Sequence, residues 1–474
     1  MEAKTKNKII FDPLYGFISL TPIEWDIIHT PFYQRLRWIK QIGFSLYTFP
    51  GAEHSRFGHS IGVMFNSHKI LESIGKAVTD KELFNPDFES EEKTRHQSIR
   101  LAALLHDLGT FCFSHTTEMA YIHFGDTTNQ KNSKGHPDDH EHLGSFIIKN
   151  TDYVGGITKT LQDYKIDPQV ISDLVKGISP DLLANQILHS EVDCDRMDYL
   201  LRDAHYTGLN YGTYDREYLL HHFCSVEIAG NDILAIKHNA LHCVEDFLSA
   251  RFAWYSQVVR SSRGAKYDAL AEELTFYLLE KGQIFSYSEL LEMVKNDPFK
   301  FYSFNDQYFM TLIHRLHMEG FFEKNSKMKD IVECLLFEKS PKTIRCPEFS
   351  QRILNQDDQG NNDKYFNKAW EKVKEIQNIL KKKGSQEDWI VVDIPKKNII
   401  FTKSKKRIIK DQTLSNVLLE RDPAKIVDEY GQVKLLVDME NSIISQIQNT
   451  YNFVPNVFCS ESAYELLKRE KIVE

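Results

Sequence analysis

The 474 residues include 42% hydrophobic and 26% charged side chains, the balance of an ordinary globular chain long enough for two or three domains, or for one large core with appendages. A net charge of −9 provides no global field to draw the chain to nucleic acid, and no apolar run is long enough to span a bilayer. Seven cysteines without a CxxC pair, and a charged N-terminus lacking a signal-peptide core, read as reduced thiols in a cytoplasmic protein.

Residues 9–20 (IIFDPLYGFISL) carry hairpin chemistry, with turn residues at Asp12-Pro13 and Gly16. Thr21-Pro22 reads as an N-cap and first-turn proline, starting a helix to about Thr30. Pro31 starts another, PFYQRLRWIKQIG, closed by Gly43. A loop over 44–58 precedes a helix from His59, where Ile61, Met64, Phe65, His68 and Leu71 have helical spacing. Residues 80–94 read as exposed loop and 95–108 as a central helix, LAALLHD, with Gly109 as a stop. After a loop at 125–139, helices are predicted at 140–151, 168–177 and 181–204, and a Gly/Tyr-rich loop at 206–215.

A small hairpin fits 226–239, and a long amphipathic helix starts at 238. Helix prevails to about 325, and 340–365 is irregular. WIVVDI and KNIIFT then read as strands around a connection. The predicted architecture is mainly α: a helical body over 1–330 and a smaller α+β appendage over 331–474.

Three separate helical stretches offer metal ligands: His59, the adjacent His106 and Asp107, and Asp195. This mixed nitrogen/oxygen set suits a divalent ion with open positions, such as Mn²⁺, Mg²⁺ or Fe²⁺; the absence of cysteine disfavours Zn²⁺. His115 and His140 flank the set with pKa values suited to acid–base work. Arg56, Arg196, Arg202 and Arg251 offer forked donors for phosphate. The bland alternatives stay open here. Asp193, Asp195, Asp198 and Asp203 also fit one solvated acidic helix partnered by Arg196 and Arg202. His136, His140 and His142 also fit an exposed loop, and the basic cluster Lys403, Lys405, Lys406, Arg407, Lys410 a solvated face.

A series of ordered motifs resembles the HD-domain phosphohydrolases, in particular the deoxynucleoside triphosphate triphosphohydrolase branch. They are DPLYGFI at 12–18, TPFYQRLRWIKQIG at 30–43, FPGAEHSRFGHSIG at 49–62, HDLGTFCFSH at 106–115, HE at 140–141 and DCDRMDYLLRDAHYTG at 193–208. The resemblance covers about 9–260 and implies an all-helical HD body. It implies His59, His106, Asp107 and Asp195 as metal ligands, and His115 and His140 as catalytic histidines, with His115 expected to matter more. Arg56, Arg196 and Arg251 would hold the triphosphate, and Gln41, Tyr199 and Asp203 the sugar. The implied reaction converts a dNTP to deoxynucleoside and inorganic triphosphate. The implied partners are dNTPs and a nucleotide effector at contacts of a homo-oligomer, near Gln34, Arg37 and the basic cluster, with no membrane or nucleic-acid partner. Some members carry a SAM domain; none is expected before a motif series that starts this early.

Three departures stand out. Thr110-Phe111-Cys112 replaces the usual histidine-containing stretch after HDLG, and Thr110 is expected to face the metal pocket in its place. His29 stands where an effector-site aspartate precedes TP, and Ser261-Ser262 where relatives carry His-Lys. The alternatives are another HD reaction, on nucleoside monophosphates or nucleic-acid ends, and a weakly catalytic nucleotide sensor.

Overall fold

Capping side chains set where the first elements start. Asp12 accepts the N–H groups of Leu14 and Tyr15 in the turn between β1 (Lys8–Asp12) and β2 (Gly16–Leu20). Thr21 and Glu24 form a reciprocal capping box at the start of α1 (Pro22–Ile28). The computed structural model describes residues 8–128, 138–261, 263–355, 359–394, 399–402 and 417–473.

The helices that follow are α2 (Pro31–Gln34), α3 (Arg56–Ser73), α4 (Asp80–Leu83), α5 (Glu91–Leu105), α6 (His115–Thr128), α7 (His140–Lys149), α8 (Ile157–Asp163), α9 (Pro168–Val175), α10 (Leu182–His189), α11 (Cys194–Thr207) and α12 (Arg216–His222). The hairpin β3 (Phe223–Ile228) and β4 (Asn231–Lys237) leads to α13 (Leu241–Trp254) and α14 (Gly264–Glu280). Four more helices fill 287–337, the last spanning Ser326–Phe337. The C-terminal part mixes a long helix, Gln359–Lys383, with short strands. The fold is mainly α with a smaller sheet-containing C-terminal part.

Helix α5 lies at the centre. Leu101 to Leu105 are fully buried, and Arg100 forks onto Glu24 of α1 with two contacts of 2.7 Å. A separate apolar cluster, including Ile344, Val373, Phe453 and Val457, underlies the C-terminal part. The chain beyond 340 also enters the main body: the strand Lys425–Val427 pairs in parallel with β4, and Ile426 and Leu436 join the main core.

Several predicted boundaries shift. The helix expected over 31–43 stops at Gln34 and continues as a 3-10 turn to Trp38. There the backbone turns to pair with the chain ahead of α3, Gln41 N–H donating to the His54 carbonyl at 3.0 Å and Arg56 N–H to that of Ile39 at 3.0 Å. The expected helix over 181–204 is two, because Asp193 accepts the N–H of Arg196 and starts α11 anew. The stretch at 80–94 holds α4 and the capped start of α5 at Ser90. α6 extends to Thr128, into the expected loop. Strands Ile390–Asp393 and Ile399–Ile400 form, but enter different sheets. The basic cluster at 403–410, His136 and Ser262 lie outside the described residues.

Arg35 fixes the turn after α5. Fully buried, it donates to the carbonyls of Leu108 (3.0 Å), Thr110 (2.7 Å) and Phe304 (2.8 Å). Arg35→Met should strand these carbonyls and cost ~3 kcal/mol or more, seen as earlier unfolding in a denaturant titration. An unchanged transition would show that the carbonyls find other donors.

Candidate active site

Helices α3, α5 and α11 meet at one point. His59 lies in the first turn of α3, His106 caps the C-terminus of α5 with Asp107 next to it, and Asp195 lies in the first turn of α11. His59 Nε2 is 3.1 Å from Asp195 Oδ1 and 3.6 Å from Asp107 Oδ2; His106 Nε2 is 3.7 and 3.5 Å from the same two atoms. Each imidazole donates its Nδ1–H elsewhere, His59 to Asp198 at 2.7 Å and His106 to the Ala103 carbonyl at 2.8 Å. Both Nε2 atoms are buried without a hydrogen-bond partner. Two bare, buried imidazole nitrogens facing two carboxylates fit a divalent cation, and His59, His106 and Asp107 form a group able to hold one.

The electrostatics agree. Burial alone would raise the Asp107 pKa, but Arg56, 2.6 Å away, and the nearby histidines hold it well below the usual carboxylate range. Burial alone would lower the His59 pKa, but Asp195 and Asp198 outweigh it and lift it to about 9. In the absence of a cation these carboxylates draw a proton instead, so cation and proton compete for the site.

A second group sits beside the first. The buried Glu118 accepts from His115 Nδ1 and His140 Nδ1, both at 2.6 Å, and from the His140 backbone N–H at 2.8 Å. Burial opposes charge on His140, yet Glu118 raises its pKa to about 9, so the ring is protonated at neutral pH. Gly109 explains the proximity: a Cβ there would collide with the His140 carbonyl and the Gly144 N–H, so only glycine lets α7 pack against the turn after Asp107.

Both groups border one cavity of about 340 Å³. Its walls include Gln41, Arg196, Tyr199, Asp203 and Trp254. Tyr199 and Trp254 form an aromatic side, ring centroids 4.9 Å apart. On these wall residues, Gln41 Oε1, Asp203 Oδ2 and Trp254 Nε1 are buried without hydrogen-bond partners.

The model of the HD domain family matches residues 56–203, the segment from Arg56 to Asp203 that carries His59, the His106-Asp107 pair and Asp195. This segment is an HD domain. The chain is similar to the uncharacterized protein YwfO of Bacillus subtilis (strain 168), 32% identical over 54% of this chain and 52% of that protein. It is also similar to the deoxynucleoside triphosphate triphosphohydrolase SAMHD1 of Homo sapiens, 29% identical over 43% of this chain and 34% of that protein. The chain thus spans about half the length of YwfO and about a third of SAMHD1. The crystal structure of a hypothetical protein from Aquifex aeolicus shares the fold, with a TM-score of 0.65 over 98% of this chain and 100% of that one, at 24% identity.

The HD domain and its neighbours bring most of the expected residues to the cavity, namely Gln41, Arg56, His106, Asp107, His115, His140, Asp195, Arg196, Tyr199 and Asp203, with His59 just behind. Arg251 is not among them. It donates to the Phe401 carbonyl at 2.6 Å, because the C-terminal strand passes over α13 and captures it. Arg202 forks onto Asp198 and reaches Asp12, so it supports the fold rather than a phosphate. Thr110 does not face the cavity; its hydroxyl donates back to the Asp107 carbonyl at 2.7 Å, and Arg35 holds its own carbonyl. Glu118 and His54, which donates to Asp203 at 2.6 Å, went unnoticed in the sequence. The i, i+3 spacing of His115 and Glu118 was a usable signal for the first.

HD domains bind divalent metals. Purified protein should carry about one divalent ion, and replacing His106 and Asp107 together by alanine should remove it. Elemental analysis showing full metal content in the double variant would disprove this ligand set.

Proposed function

We propose that this protein is a metal-dependent phosphohydrolase that converts deoxynucleoside triphosphates to deoxynucleoside and inorganic triphosphate. The observation that carries the reading is that one cavity is bordered by the metal-type ligand set, by His140 held on Glu118, and by the Tyr199–Trp254 pair with Gln41 and Asp203. The similarity to SAMHD1, named as such a triphosphohydrolase, supports the same choice.

His59, His106, Asp107 and Asp195 would hold a divalent ion, Mn²⁺, Mg²⁺ or Fe²⁺ before Zn²⁺. When bound, that ion supplies charge for phosphate oxygens and acidity for water. The protein's own groups do the rest. Arg196 lines the cavity and is held by Asp193 and the Ser190 carbonyl, leaving guanidinium charge toward the phosphates. Arg56 anchors Asp107 and Ser114 and acts on substrate through them. Tyr199 and Trp254 flank the sugar, Asp203 accepts the proton of its hydroxyl, and the Gln41 amide N–H donates to the same oxygen. A water oxygen attacks the α-phosphorus, the bond from phosphorus to O5′ breaks, O5′ takes a proton from His140, and the proton that the attacking water releases passes to solvent, from which His140 is recharged. His140 suits this better than His115, whose side chain is 60% exposed against 20% for His140. Glu118 joins the two rings, so His115 serves to return the proton. As part of the same reading, 331–474 contributes to contacts of a homo-oligomer, and the protein works in the cytoplasm.

Incubation with each dNTP and Mn²⁺ or Mg²⁺, with products separated by ion chromatography, tests the reaction. Tripolyphosphate and deoxynucleoside should appear in equal amounts. Orthophosphate release, or turnover of monophosphates alone, would replace this reading by another HD hydrolysis.

The pH profile tests the acid. His140 carries its proton below about 9, so kcat/KM should fall as pH rises through that value. Glu118→Gln removes the main cause of the raised pKa and should move the alkaline limb down, toward about 6.5. A limb that stays in place would assign it to another group.

A further inference from the structure

His54 lies in the loop ahead of α3, 7% exposed, and is absent from the cavity wall. It nonetheless holds two residues of the wall whose side-chain oxygens lack hydrogen-bond partners. Its Nε2–H donates to Asp203 Oδ1 at 2.6 Å, and its carbonyl accepts the Gln41 N–H at 3.0 Å. The ring is itself fixed by stacking on Tyr206, with centroids 4.6 Å apart and planes 10° from parallel. A carboxylate has a broad, two-fold terminal torsion. With Oδ1 engaged by His54, the carboxylate of Asp203 is locked and Oδ2 is the oxygen left without a donor. The same loop residue sets the backbone position of Gln41, whose Oε1 is the second unmet acceptor.

We propose that His54 is the positioning residue of the sugar subsite: its ring and carbonyl hold Asp203 and Gln41 so that the carboxylate accepts the proton of one sugar hydroxyl and the Gln41 amide N–H donates to the same oxygen. The assignment deepens the reading above and relies on it for the identity of that hydroxyl, the 3′ group of a deoxyribose. A buried acceptor left without its donor weakens binding sharply, whereas a ligand never touched by the pair is indifferent to it. His54 therefore governs discrimination between 3′-hydroxyl and 3′-deoxy nucleotides rather than general affinity.

The test measures Kd for dATP and 2′,3′-dideoxy-ATP with Ca²⁺ in place of Mn²⁺ or Mg²⁺, using the full chain. The parent should prefer dATP by about tenfold. His54→Phe keeps a ring on Tyr206 but removes the donor, and should weaken dATP about tenfold while leaving dideoxy-ATP unchanged. His54→Gln restores an N–H donor and should recover the preference. If His54→Phe fails to fold, Tyr206→Leu, which frees the ring, should reduce the preference in the same direction. An unchanged preference in these variants, equal weakening of both nucleotides, or no preference in the parent overturns the proposal. Because the readout is binding, a protein that discriminates but releases no tripolyphosphate retains the sugar subsite and loses only the hydrolytic reading.

Discussion

Two Nδ1–H donations govern the candidate centre. An imidazole has two nitrogens, and in its neutral form only one carries a proton. Asp198 takes the proton end of His59 and the Ala103 carbonyl takes that of His106, so the lone pairs of both rings point the same way. Asp198 is itself gripped by Nε and Nη2 of Arg202, whose Nη1 reaches on to Asp12 in the first hairpin. Gly62 completes the arrangement: a Cβ at that position would overlap the Asp198 carboxylate. A hairpin turn, a glycine on α3 and an arginine on α11 thus decide which atom of His59 is free.

Buried charge around the centre alternates in sign. Arg56 faces Asp107, Glu118 lies between His115 and His140, and Asp198 lies between His59 and Arg202. Desolvating such groups costs as much as their mutual attraction returns, so a network like this is weak evidence for stability. Its effect here is geometric. Each carboxylate is held by a fixed donor, and each shifted pKa has a neighbour as its cause. Acid–base groups whose neighbours move their pKa values are a common mark of functional sites, and in this chain Asp107, His140 and Asp195 are such groups on one cavity.

The C-terminal part contacts the helix that leads into the cavity wall. Arg251 is buried in α13 and held by the carbonyls of Ile400 and Phe401, while Phe252 stacks on Phe401 with centroids 3.8 Å apart. Directly after α13, a π-helical turn over Tyr255–Val259 carries two wall residues, Tyr255 and Val259. Such turns occur often at functional sites because the extra residue re-aims side chains. A segment some 150 positions away in the chain thus holds the last turns of α13, directly ahead of these wall residues.

The sequence by itself determined the mainly helical class, the opening hairpin and the capped start at Thr21, because capping, turn chemistry and apolar periodicity act over a few residues, and its ordered motifs named the candidate metal set. The order of motifs from Asp12 to Gly208 also located the HD segment. Long-range contacts decided the rest. The helix expected to run to Gly43 stops at Gln34, and the chain turns to pair with the backbone ahead of α3, which no local signal announces. Thr110 faces away because Arg35 pins the turn after Asp107, and Arg251 faces away because a distant strand supplies its acceptors. Glu118 and His54 acquire meaning only when α6 meets α7 and the loop at 54 meets α11. Those contacts join residues 22 and 149 positions apart, and their hydrogen bonds exist only once the helices have packed.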